Sequence, residues 1–190
     1  MKLDSILDRF RGKRILVLGD LMLDKFIWGD VSRISPEAPV PIVHVTSQSI
    51  KLGGAANAAN NLKTLGAEVF IAGVVSEDTI GGELLEELKI KGINTEGVVV
   101  DRKRPTTLKT RVISLNQQVI RLDKESREEI SDPISDKILG YVEDISSKVD
   151  GVIISDYGKG VITYEILKSI SERAKINEVP VVVDPDLRNF

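Results

Sequence analysis

Apolar positions along the chain follow two different periods. Ile15-Leu16-Val17-Leu18 is a continuous apolar run ending at Gly19, the pattern of a strand buried on both faces of a parallel sheet. Similar runs recur at Val69–Val75, Val98–Val100, Val152–Ile154 and Val181–Val183. Between them, spacings of three and four residues predict helices over Ala55–Leu65, Ile80–Lys91, Ile134–Ser147 and Tyr164–Lys175. Gly66 and Gly92 stand at helix ends as caps, and Pro133 sits in a first turn, where helices tolerate it. This repetition predicts an α/β fold with a mainly parallel sheet and helices on both faces.

Two segments interrupt the alternation. Asp24–Thr46 has no helical period and contains Pro36, Pro39 and Pro41. Thr106–Asp123 reads as two strands around a turn at Asn116-Gln117. Such extended segments predict a small β lid, with an edge extension of the main sheet as the alternative. Met1–Arg14 is a charged amphipathic stretch in which Leu3, Ile6, Leu7 and Phe10 recur at helical spacing.

Composition narrows the functional classes. A chain of 190 residues, 42% hydrophobic and 29% charged, is expected to form one globular domain. A net charge of −3 gives no global footprint for nucleic acid. The absence of cysteine excludes disulfides, thiolate zinc sites and a thiol nucleophile. The single histidine, His44, excludes multi-histidine metal sites, and its place in Ile42-Val43-His44-Val45 reads as structural. The sequence has no apolar leader and no stretch of membrane-spanning length, so a cytoplasmic location and no membrane partner are expected.

In open α/β sheets ligands bind beyond the carboxyl ends of the strands. That rule selects Asp20 and Asp24 after the first strand, Asp156 and Lys159 after the Val152 strand, and Asp184 after the last. Aspartates there accept hydrogen bonds from sugar hydroxyls or else cap turns. Gly53-Gly54-Ala55-Ala56-Asn57 puts two glycines before a helix, where backbone approaches a ligand closely and the helix N-terminus favours polar groups. It is neither a P-loop nor a GxGxxG fingerprint. Lys109 and Arg111, two apart on a predicted strand, share a face and are phosphate candidates, as is Arg33. Whether Arg121 and Asp123 join that face depends on the strand register.

Taken together, Gly19-Asp20-Leu21-Met22-Leu23-Asp24, Ser32-Arg33-Ile34-Ser35-Pro36-Glu37-Ala38-Pro39-Val40-Pro41 and Gly53-Gly54-Ala55-Ala56-Asn57 resemble the ribokinase-like (PfkB) carbohydrate kinases. The Ser32–Pro41 string, with Asn116–Asp123 and Ser155–Gly160, is similar to the branch of that family that acts on a heptose 7-phosphate. The resemblance runs from about Lys2 to Phe190. It implies transfer of the γ-phosphoryl of ATP, with Mg²⁺, to the C1 hydroxyl of D-glycero-β-D-manno-heptose 7-phosphate in ADP-heptose formation. It implies Asp24, Gly53, Gly54 and Asn57 at the sugar, and Arg33, Lys109 and Arg111 at its phosphate or hydroxyls. It places Asp156, Lys159 and Asp184 near the phosphate-transfer region and implies a homodimer through the lid.

Members of the family keep a catalytic aspartate in a Gly-Ala-Gly-Asp string and a nucleotide-side Asn-x-x-Glu. Neither occurs here, and Asp186 stands where they commonly have lysine. The expectation is therefore the N-terminal part of a kinase domain, 1–190, with the base beyond residue 190. Two alternatives stay open: a kinase of another sugar or sugar phosphate, and a sugar-phosphate-binding fragment without catalysis.

Overall fold

The structure, a computed structural model, describes residues 7–187. Met1–Ile6, the first half of the amphipathic stretch, lie outside the described residues. Its remainder forms a short 3-10 turn over Asp8–Phe10. Five strands build one parallel sheet: β1 (Arg14–Gly19), β4 (Glu68–Val75), β5 (Asn94–Val100), β8 (Gly151–Ser155) and β9 (Val181–Asp184). Their order is β5-β4-β1-β8-β9. Four helices cover the sheet: α1 (Gly54–Thr64), α2 (Thr79–Ile90), α3 (Asp132–Ser146) and α4 (Tyr164–Ile176).

Alternation within β1 explains the two layers. Leu16 and Leu18 point to one face, where Ile134, Ile138 and Val142 of α3 and Ile166 and Ile170 of α4 bury them. Val17 points to the other, against Ala55, Ala56 and Ala59 of α1 and Leu84 and Leu88 of α2. The alanines let α1 lie close on the sheet. Helix starts carry side-chain caps at two places. The Asp78 carboxylate accepts from the Gly81 N–H at 2.9 Å, and the Thr163 hydroxyl from the Ile166 N–H at 3.3 Å.

The interrupting segments form a separate four-stranded sheet, not an edge extension. It comprises β2 (Leu21–Ile34), β3 (Pro41–Gly53), β6 (Thr107–Ser114) and β7 (Gln117–Lys124), in the order β3-β2-β6-β7. Its first segment is longer than expected, because β2 and β3 run from 21 to 53 with only 35–40 between them. Prolines confined to that connection and to the first residue of β3 explain how the strands persist. The hairpin turn falls at Leu115-Asn116, one residue earlier than expected, with φ of 49° and 60°. Both central residues must be left-handed to match the strand twist. The helices start and stop within two residues of their expected bounds.

Leu115 is 86% exposed and packs on nothing that offsets its left-handed backbone. Leu115→Asn should therefore stabilise the chain by about 0.5–1 kcal/mol, because asparagine tolerates this region far better. The melting temperature should rise by roughly 2 °C, checked by thermal unfolding of the two chains side by side.

Candidate functional site

The strand order reverses between β1 and β8, which opens a crevice at the carboxyl ends of these two strands. Only Asp20 separates β1 from β2, so the lid sheet grows directly out of this edge. Leu21, Met22 and Leu23 are still buried in the core, and Asp24 is the first residue of β2 beyond it. β3 returns alongside, with Gly53 opposite Met22. A Cβ on Gly53 would lie 2.6 Å from Asp24 Oδ2 and 2.9 Å from Met22 Cγ. A Cβ on Gly54, whose φ is +52°, would lie 2.5 Å from the Asp20 carbonyl oxygen. Close approach thus requires glycine at both positions. The chain then enters α1 and presents Asn57 one turn in. A cavity of about 320 Å³ results, its polar lining being Asp24, Lys51, Asn57, Asn60, Glu87 and Lys91, with Phe26 beside them.

Strand register settles which charges share the lid face with Asp24. Asp24 lies beside Lys51 on β3 and Lys109 on β6, Phe26 beside Arg111, Arg111 opposite Arg121, and Lys109 opposite Asp123. All share the face of Asp24. Four cations against two carboxylates leave this face with a net charge of +2. The two carboxylates are already engaged: Arg111 Nη1 holds Asp24 Oδ1, and Arg121 pairs with Asp123 at 3.0 Å. Lys51 and Lys109 form no ion pair among the described residues. The Phe26 ring lies under two cations, with Lys51 Nζ and the Arg111 guanidinium carbon each 5.4 Å from its centroid.

Behind this face lies a buried polar node. Asp20 is 1% exposed. Its carboxylate accepts backbone N–H groups from Tyr157 (2.7 Å), Lys159 (3.1 Å) and Val161 (3.4 Å). Burial pushes the Asp20 carboxyl above its ordinary range, and neighbouring Asp156 adds to this; the three N–H donors pull the other way. The Asp156 N–H donates to the Asp184 carbonyl, and the Asp156 carboxylate accepts from the Gly158 N–H at 2.8 Å. Lys159 is buried, and its ammonium pairs with Glu125 at 2.8 Å; the two side chains are 8% and 11% exposed. Burial alone would raise the Glu125 carboxyl, but hydrogen bonds from Lys159 and Arg127 outweigh it and hold it low.

Asp24 and Asn57 thus line the cavity, Gly53 and Gly54 pack against Asp24, Met22 and Asp20 where the strands enter it, and Lys109 and Arg111 share the lid face with Asp24. Asp156, Lys159 and Asp184 are brought to the adjoining strand ends. Arg33 is not: it lies nine residues further along β2, opposite Ile42, roughly 30 Å from Asp24 at the strand rise. His44 is exposed on β3 opposite Asp30 and joins no nucleophile. Sequence reasoning missed Phe26, Lys51, Asn60 and Lys91. Lys51 had a signal, since strand alternation puts it on the face of Gly53. Glu125 had none.

The pfkB family carbohydrate kinase model matches residues 13–189. The chain belongs to that family. Its relatives include the Bifunctional protein HldE of Helicobacter pylori strain J99, 44% identical over 178 residues, which covers 94% of this chain. The Bifunctional protein HldE of Geobacter metallireducens is 44% identical over 182 residues, 96% of this chain. The chain spans 38% and 37% of the length of these two relatives. Among solved structures, a possible 1-phosphofructokinase from Thermotoga maritima superposes with a TM-score of 0.71 at 20% identity, over 92% of this chain and 54% of that one. Ribokinase of Arabidopsis thaliana, solved with ribose and ATP, gives 0.63 at 16% identity, over 91% and 53%. These superpositions establish the ribokinase-like fold of this pfkB member.

Two expectations follow from the packing. Gly53→Ala should destabilise by about 1–3 kcal/mol through overpacking against Asp24 and Met22. Gly82→Ala, in α2 with nothing within 4 Å of an added Cβ, should stabilise by about 0.5–1 kcal/mol. Denaturant unfolding of both chains checks the contrast. Lys159→Met removes one of the two cations on buried Glu125, leaving Arg127, and should cost about 1–3 kcal/mol, most of it recovered in Lys159→Met with Glu125→Leu. The lowered Glu125 carboxyl contributes one part of the pH dependence, beside the lowered Asp78 and Asp150 carboxyls. Its contribution is complete above the ordinary carboxylate range and is lost as pH falls through the lowered value, which acid titration of stability in the double variant should abolish.

Proposed function

We propose that this chain is the sugar-binding part of a kinase that moves the γ-phosphoryl of ATP to the C1 hydroxyl of D-glycero-β-D-manno-heptose 7-phosphate. The observation that carries the reading is the cavity at Asp24 and Asn57, flanked by a lid face of net charge +2. An uncharged sugar needs no such excess, whereas a phosphate dianion matches it in sign and size. The resemblance of the Ser32–Pro41 string and the kinship with the HldE proteins support the heptose.

In this reading Asp24 and Asn57 accept and donate hydrogen bonds at the sugar hydroxyls, and Gly53 and Gly54 let the backbone close on the ring. Lys109 and Arg111 take the phosphate end. Phosphoryl transfer asks the protein mainly for in-line positioning and charge neutralisation. Asp156 and Asp184, on adjacent strand ends, adjoin the path of the ATP phosphates. Among the described residues no three metal-binding side chains converge. Mg²⁺ carried by nucleotide phosphates asks for only one or two protein carboxylates, which Asp156 and Asp184 would supply. The exposed Ile120 and Leu122 of β7, on the lid face away from Asp24, fit a homodimer through the lid. No helix among the described residues is long and apolar enough to cross a membrane.

Calorimetric titration of the chain with heptose 7-phosphate, fructose 6-phosphate and ribose tests the assignment. Heptose 7-phosphate should bind at least tenfold tighter than either, a factor worth about 1.4 kcal/mol. Asp24→Ala should abolish that binding. Equal or tighter binding of fructose 6-phosphate would overturn the heptose assignment. Heptose 7-phosphate binding that survives Asp24→Ala would overturn the site.

A further inference from the structure

The lid cations carry an inference about selectivity, and it rests on the phosphosugar reading above. Asp24, the hydroxyl acceptor of that reading, is occupied: Arg111 Nη1 holds its Oδ1. Both side chains are largely shielded, at 24% and 22% exposure, so neither charge is freely replaced by water. Arg111 has a second support in the Phe26 ring beneath it. Lys51 reaches the same ring from the other flanking strand and has no carboxylate partner among the described residues. The ring is thus flanked by one cation without an ion pair and one that is paired only to the group the sugar needs.

We propose that Arg111 changes partner when substrate binds and that Arg111 and Lys51 together select phosphorylated sugars. The substrate phosphate docks between the two cations, clear of the ring face that holds them, and takes the guanidinium in a bidentate contact. Asp24 is thereby released to accept sugar hydroxyls. A sugar without phosphate offers Arg111 no second partner. It competes with a charge-assisted pair using neutral hydroxyls, and a hydroxyl bond is about half as strong. Rejection of the wrong substrate therefore comes from a contact already made in the empty site, which is a repulsive element in the selectivity.

The chain carries its own reporter. Trp28, the single tryptophan, stacks on Phe26 with ring centroids 5.7 Å apart and planes at 20°. The experiment titrates the chain with heptose 7-phosphate and with the same heptose lacking phosphate, by calorimetry and by Trp28 emission. In the unaltered chain the phosphorylated sugar should bind tighter and shift the emission. Arg111→Gln should move the two affinities in opposite directions, about tenfold up for the free heptose and about tenfold or more down for the phosphorylated one. Arg111→Lys, which keeps the charge and loses the fork, should give an intermediate ratio and guards against a misfolded glutamine variant. Lys51→Gln should lower the preference for the phosphorylated sugar by roughly fivefold or more. If Arg111→Gln weakens both sugars equally, Arg111 merely orients Asp24 and the exchange is wrong. If Lys51→Gln leaves the preference unchanged, its phosphate contact is wrong. An unaltered chain that binds both sugars alike would overturn the phosphosugar reading along with this inference.

Discussion

Asp20 is the residue on which the arrangement depends. Its N–H donates to the Ser155 carbonyl at the end of β8, and its carbonyl accepts from the Ala55 N–H at the start of α1, each at 3.1 Å. Its carboxylate gathers the three N–H groups of the loop after β8. One residue therefore ties together the central strand, the strand across the crevice, the first helix and the loop at the ligand edge. It also separates β1 from β2, so the root of the lid is fixed by the same contacts. A buried carboxylate is costly to desolvate, and it is retained here because three backbone donors satisfy it.

From that node two consequences reach the site. On one side, β2 and β3 leave the core as continuous strands with no flexible linker, and their register sets Gly53 against Asp24. The cavity geometry is then a property of strand pairing and not of loop conformation. On the other side, the loop after β8 is anchored again through Lys159, whose ammonium reaches Glu125 just beyond the end of β7. The lid and the ligand edge are thus joined at both ends of the second sheet. This double attachment holds the residues proposed to meet the sugar, while the face of Asp24 keeps an excess of positive charge.

Most of the architecture was legible in the sequence because it rests on local periodicity. The apolar runs of β1, β4, β8 and β9 and the alanine-rich α1 needed no tertiary information. The lid was legible only as a break in the alternation. Its strands proved longer because pairing between β2 and β3 carries the ladder through residues that show no clear period. The shared face of Asp24, Lys109 and Arg111 was half legible. Strand alternation pairs Lys109 with Arg111, but only the register brings both to Asp24 and Arg121 to Arg111. The Lys159–Glu125 pair spans 34 residues of sequence and leaves no local trace. Arg33 is the opposite case, since its place in a distinctive string says nothing of distance along a strand, and β2 carries it well away from Asp24.

The measurement that bears most directly on this account is amide hydrogen exchange in the chain with Asp20→Ala. Exchange at Tyr157, Lys159 and Val161 should accelerate by about a hundredfold or more, the scale of an unmade buried hydrogen bond. The amides of β1 and β4 should keep their protection, because their ladder does not use the carboxylate. Unchanged exchange in the 157–161 loop would contradict the central role given to Asp20. Uniform acceleration through β1 and β4 would contradict it as well, by showing the carboxylate to support the whole fold and not the ligand edge.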